Sequence, residues 1–133
     1  GTLVIKQASD EAPLREAFVL NELKFSLGED HSGIPAPFPM VAGSTNGGKW
    51  TACALSNFEA PSLSRLLVDD PAYFDDENLA FEVADRLLSL LQTMQGAGVT
   101  HRTISADSVL ILAGDIPALV SFDLAIAKGM PYA

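Results

Sequence analysis

The sequence predicts an α+β fold, and three observations lead to it. One long apolar stripe at helical spacing occupies the second half of the chain. Two pairs of short β-favouring runs lie on either side of that stripe, each closed by a turn signal. Helical and strand segments are segregated along the chain instead of alternating, which argues against a parallel α/β sheet.

The elements follow in order. Thr2-Leu3-Val4-Ile5-Lys6 is β-rich and reads as a strand. Ser9 or Asp10 offers a helix cap, Glu11 places negative charge in the first turn, and Pro13 is tolerated there. Leu14, Ala17, Phe18 and Asn21, with Leu20 and Leu23, then keep helical spacing over residues 11–24. A loop rich in Gly and Pro covers 28–37. Met40-Val41-Ala42 and Trp50 to Leu55 form a hairpin pattern about Ser44-Thr45-Asn46-Gly47-Gly48, because Asn and Gly both tolerate positive φ.

After Ser56-Asn57, Ser62 is placed to cap a short helix through Ser64, Leu66 and Leu67. Asp69 to Asp76 is acidic and turn-like. The longest helix is expected over Glu77 to Gln95, about 28 Å at 1.5 Å per residue, with Ala80, Val83, Ala84, Leu87, Leu91 and Met94 as its apolar stripe. Phe81, Leu88 and Leu90 widen that stripe, and Gly96 and Gly98 end it. Val109–Leu112 and Ala118–Phe122 form the last hairpin, turning at Ala113-Gly114-Asp115.

At 133 residues the chain suits one domain with a core of its own. An apolar content of 48% excludes a disordered or low-complexity protein. The formal net charge of -9, with eight scattered Lys and Arg, argues against nucleic acid as a partner. No apolar run approaches the roughly 20 residues needed to cross a bilayer, so direct membrane insertion by this segment is not expected. Cys53 has no partner for an intrachain disulfide and reads as a small buried hydrophobe, which fits a reducing compartment, the cytoplasm or the cytoplasmic face of a membrane. Trp50 reads as a hairpin core residue. The acidic run lacks EF-hand spacing, His31 lies far from His101, and no G-x-S-x-G turn is present, so calcium, zinc and serine-hydrolase chemistry are not indicated.

Several local sequences then carry a resemblance. Gly98-Val99-Thr100-His101-Arg102-Thr103 follows a long helix and precedes a strand, with Ser108 five residues after Thr103. Val120-Ser121-Phe122-Asp123-Leu124-Ala125 lies thirteen residues beyond Ser108. Val4-Ile5-Lys6 ends the first strand, and Arg15-Glu16-Ala17 lies in the first helix. In this order the segments resemble the protein kinase fold from its third strand to just past its D-F-G position. The resemblance implies Lys6 as the V-A-I-K lysine and Glu16 as its partner. It implies Leu55 at the back of a nucleotide pocket, and Ser56, Asn57 and Phe58 as the hinge that contacts adenine. The separation of Lys6 and Glu16 is shorter than usual in the family, which asks for an early helix start or a tight loop.

The same resemblance implies a degenerate member, a pseudokinase. Thr103 stands where the catalytic Asp belongs, Ser108 where the metal-holding Asn belongs, and Ser121 where the D-F-G Asp belongs. A threonine hydroxyl cannot serve as a carboxylate base near neutral pH, and such help is worth about 10²–10⁴-fold. A serine offers Mg²⁺ one neutral oxygen in place of a carboxylate, and the metal's stabilisation of transferring charge is worth several kcal/mol. No catalytic residue and no metal ligand are therefore expected. No cofactor is required, and ATP, with or without Mg²⁺, is the ligand implied for the pocket.

The implied domain is partial: 1–55 as part of the N-lobe, 56–61 as the hinge, 62–133 as part of the C-lobe. An excerpt of a longer protein is expected, because the long helix and final hairpin would otherwise expose much apolar surface. The expected function is a regulatory or protein-binding module whose partner is another protein or other domains of the parent chain. Two alternatives stand beside it. One is an atypical nucleotide-dependent kinase or transferase that holds metal through Asp107 or Asp123. The other is an unrelated α+β interaction domain, which predicts Lys6 and Glu16 far apart and no cleft beside Ser56-Asn57.

Overall fold

The computed structural model describes residues 3–28, 33–34, 41–45 and 48–130. His31, Met40, Asn46 and Gly47, which the sequence singled out, lie outside the described residues. Among these residues the architecture is α+β, with three α-helices and small antiparallel sheets.

Strand β1 (Leu3–Ala8) pairs antiparallel with β3 (Gly48–Ser56), and β3 pairs with β2 (Val41–Thr45), giving the order β1-β3-β2. The register sets Lys6 opposite Cys53 and Leu3 opposite Ser56. Thr45 pairs with Gly48, so Ser44, Thr45 and Gly48 belong to the strands and not to the turn. Cys53 and Leu55 are buried on this sheet.

Helix α1 spans Ala12–Leu27, three residues longer at its C-terminus than its pattern suggested. Glu11 is the N-cap and makes no side-chain cap bond; Asp10 Oδ1 instead accepts from Ala12 N at 3.0 Å. The buried face carries Pro13, Glu16, Ala17, Val19, Leu20 and Leu23. Phe18 and Asn21, which keep the helical spacing, are on the exposed side, because sheet and C-terminal half together claim the Glu16–Leu20–Leu23 stripe. Each fully buried Leu contributes about 1.5–3 kcal/mol, enough to fix the helix on the sheet.

Ser62 caps α2 (Leu63–Asp69), its hydroxyl accepting from Arg65 N at 3.2 Å. Asp76 caps α3 (Glu77–Gly96) by accepting from the backbone of Asn78 and Leu79. Only Val83, Leu90 and Met94 of α3 are buried. Ala84, Phe81 and Leu88 are exposed, the last two by 73% and 59%, so the core-facing stripe is narrower than the apolar pattern. Gly96 is the last helical residue; the left-handed position is Gly98, at φ 79°.

Beyond it lie β4 (Val99–Thr100), β5 (Val109–Leu112), β6 (Ile116–Leu119) and β7 (Ile126–Ala127), with β5 paired to β6 and β4 to β7. The expected strand over Ala118–Phe122 is corrected: β6 ends at Leu119, and Phe122–Leu124 forms a 3-10 turn. Leu119 N donates to Gly33 O at 2.9 Å, which ties the segment after α1 to the second half. One core runs through both halves, from Leu20 and Cys53 to Met94, Leu119 and Phe122. No helix among the described residues is long and apolar enough to cross a membrane.

Candidate functional site

Where the three-stranded sheet meets the β5–β6 hairpin, a cleft of about 310 Å³ opens. Lys6 from β1 and Leu55 and Ser56 from β3 line one side. Asn57, Phe58 and Ala60, in the connection to α2, close its edge, while Leu110, Val120 and Ser121 line the opposite wall. Lys6 and the consecutive Leu55, Ser56, Asn57 and Phe58, distant from it in sequence, are thus brought to one cavity.

Behind the cleft Lys6 Nζ lies 2.8 Å from Glu16 Oε1 and donates to Oε2 at 3.0 Å. The Glu16 side chain is 1% exposed and that of Lys6 33%. Glu16 Oε2 also accepts from Phe122 N at 2.7 Å, whereas Oε1 has no directed hydrogen bond and is held by the neighbouring charge alone. One carboxylate therefore joins β1, α1 and the 3-10 turn. The short spacing between Lys6 and Glu16 is met by an abrupt helix start, with Asp10 and Glu11 turning the chain at once into α1. Burial pushes the Cys53 thiol up, the Glu16 carboxylate adds to this, and Lys6 opposes it, so the thiol stays protonated and poorly nucleophilic.

The loop at residues 101–108 is held by its own polar groups. His101 is 2% exposed and packs edge-on against Phe122, with ring centroids 4.7 Å apart. Thr103 N donates to His101 Nδ1 at 3.2 Å, which leaves the ring proton on Nε2 to be donated to Val120 O at 2.7 Å. Ser108 is buried; its hydroxyl accepts from Ser105 N at 2.9 Å and lies 3.0 Å from Thr103 O, to which it donates. Thr103 Oγ1 donates to Ser121 O at 3.3 Å. Arg102 and Ser121 both sit at positive φ, 75° and 65°. Non-glycine residues pay for that conformation, so the two backbone kinks are imposed by the loop's closure around His101.

No carboxylate lines the cleft among the described residues. Asp107 is exposed and accepts from Ser64 Oγ, at the start of α2. Asp123 is half-buried in the 3-10 turn. Neither belongs to a cluster of three or more His, Cys, Asp or Glu side chains suited to a metal, and none exists among the described residues.

Three lining residues escaped the sequence reading: Ala60, Leu110 and Val120. Leu110 carried a usable signal, since alternation along β5 buries Val109 and Ile111 and turns Leu110 the other way. The Glu16–Phe122 bond carried none, because nothing local in either segment announces the other. No family model matches this chain, and no curated protein matches it.

Proposed function

We propose that the chain is a catalytically inactive, kinase-like binding module that works by holding a ligand in the cleft and presenting its surface to a protein partner. The observation that carries this reading is the cleft itself. It assembles Lys6, held from behind by Glu16, the Ser56-Asn57-Phe58 edge and Ser121 around one cavity, with a hydroxyl where phosphoryl transfer needs a metal-binding carboxylate. The contact of Lys6 with Glu16 and the cavity beside Ser56 and Asn57 support this reading over an unrelated interaction domain.

Transfer by the usual route loses three contributions together. Thr103 supplies no base, Ser108 is committed to closing its own loop, and Ser121 offers no charge to a metal. Base catalysis alone is worth about 10²–10⁴-fold. The partner, in this reading, is another protein or another part of a longer parent chain on the cytoplasmic side. The test is incubation with radiolabelled ATP and Mg²⁺ or Mn²⁺, scoring both autophosphorylation and transfer to a generic protein acceptor. Background incorporation is expected. Metal-dependent incorporation that Lys6→Met abolishes would overturn the proposal.

A further inference from the structure

We infer that the outward face of α3 is a docking surface for one cationic, amphipathic helix of a partner protein. This rests on the proposed function in one respect only, that the chain works by presenting a surface to another protein.

Periodicity gives the shape of the partner. Only Val83, Leu90 and Met94 of α3 are buried in the core. On the other side Phe81 and Leu88 stand in water, 73% and 59% exposed, two helical turns apart. Exposed Ala84 lies between them, and half-buried Leu91 follows. Positions 81, 84, 88 and 91 are spaced by three, four and three residues, the interval at which one helix receives the side chains of another. Ala84, small between two large neighbours, leaves room in the row for an incoming side chain. A lone exposed Leu needs no explanation, but an apolar row at this period marks a contact surface.

Charge gives the partner's composition. The charged residues of α3 are Glu77, Glu82, Asp85 and Arg86. Arg86 is committed, since it pairs with Glu82 at 2.6 Å and donates to Gly114 O at 3.0 Å and Asp115 O at 3.3 Å. Glu77 and Asp85 are exposed along the apolar row, and Asp75 and Asp76 precede it, so its rim is anionic. An incoming helix with Lys or Arg on its flanks complements that rim. A second copy of the chain does not. Packing Phe81 on the copy's Leu88 runs the helices antiparallel and sets Asp85 against its counterpart, between chains that each carry -9.

The experiment titrates the chain into three fluorescent synthetic helices of about three heptads and follows their anisotropy. The first has Leu at the repeat positions and Lys on both flanks. The second replaces the Lys with Glu, and the third replaces the Leu with Ser. The Leu–Lys helix should bind about tenfold or more tightly than either of the others, and its margin over the Glu helix should shrink as salt is raised. Phe81→Ala combined with Leu88→Ala removes only exposed side chains and keeps helix-favouring residues, so the fold stands while binding falls about tenfold or more. Asp85→Lys should narrow the gap between Lys and Glu flanks with the apolar row intact.

Equal binding of the Lys- and Glu-flanked helices overturns the inference, as does failure of all three to bind. Equal binding of the Ser helix, or full binding by the double alanine variant, shows mere charge attraction and overturns it too. A chain that sediments as a dimer, and as a monomer once Phe81 and Leu88 are alanine, assigns the face to a second copy instead. Each of these outcomes leaves catalytic inactivity standing, because the phosphoryl-transfer assay decides that separately.

Discussion

Replacing Lys6 with methionine should cost more stability than replacing Glu16 with glutamine, although Glu16 is the more buried partner. Lys6 Nζ is 2.8 and 3.0 Å from the two carboxylate oxygens. Without it the carboxylate, 1% exposed, keeps only Phe122 N–H as a partner. Removing one member of a fully buried pair costs about 3–5 kcal/mol. Here Lys6 is 33% exposed and water enters from the cleft, so the cost falls to about 2–3 kcal/mol. Glu16→Gln keeps an acceptor for Phe122 N–H and strands only a lysine that water already reaches, at about 1–2 kcal/mol. Because the two residues touch, the double variant should cost less than the sum of the singles by about 1 kcal/mol. Urea unfolding followed by far-UV circular dichroism measures all three, provided the slopes match. A Glu16→Gln cost equal to or above that of Lys6→Met, or a Lys6→Met change within about 0.5 kcal/mol of the parent, would refute the reasoning.

Two further perturbations bear on the frame around the site. Tyr73 donates to Asp115 at 2.7 Å, and burial, then the Asp115 bond and charge, push its phenol up from 10.0 to about 12. The folded state thus favours the neutral phenol; this contribution is whole below pH 10 and is lost as pH rises through about 12. Melting temperatures of Tyr73→Phe should accordingly fall less steeply than the parent's across that window, and parallel curves would count against the assignment. Gly98 sits at φ 79° with Lys128 Cβ 3.1 Å from where a side chain would begin. Gly98→Ala should lose about 1–2 kcal/mol by urea unfolding, and an unchanged midpoint would show that the β4–β7 pairing relaxes freely.

Much of the frame was legible because it is written locally. Ser62 and Asp76 cap the helices that follow them and the β5 run alternates, while the pairing of Lys6 with Glu16 was implied by the family resemblance in spite of their short separation. What stayed hidden depends on distant partners. Apolar periodicity alone put Phe81 and Leu88 inside, yet α3 turns only Val83, Leu90 and Met94 to the core. Phe122 reads as the end of a strand, but His101, Glu16 and the kink at Ser121 draw it into a tight turn. The cleft's far wall was missed for the same reason, since Leu110 and Val120 gain meaning only once β1 and β3 stand opposite them.

The two partners of the Glu16 carboxylate also set an order of assembly. Its lysine partner is ten residues away, while its Phe122 partner is 106 residues away. Closing the longer loop costs about 2 kcal/mol more chain entropy than closing the shorter, so the ion pair can form early and the second bond must wait for the C-terminal half to arrive. Until then water takes the place of the Phe122 amide on that oxygen. That late bond, with the core shared by both halves, couples the folding of the first half to the arrival of the second.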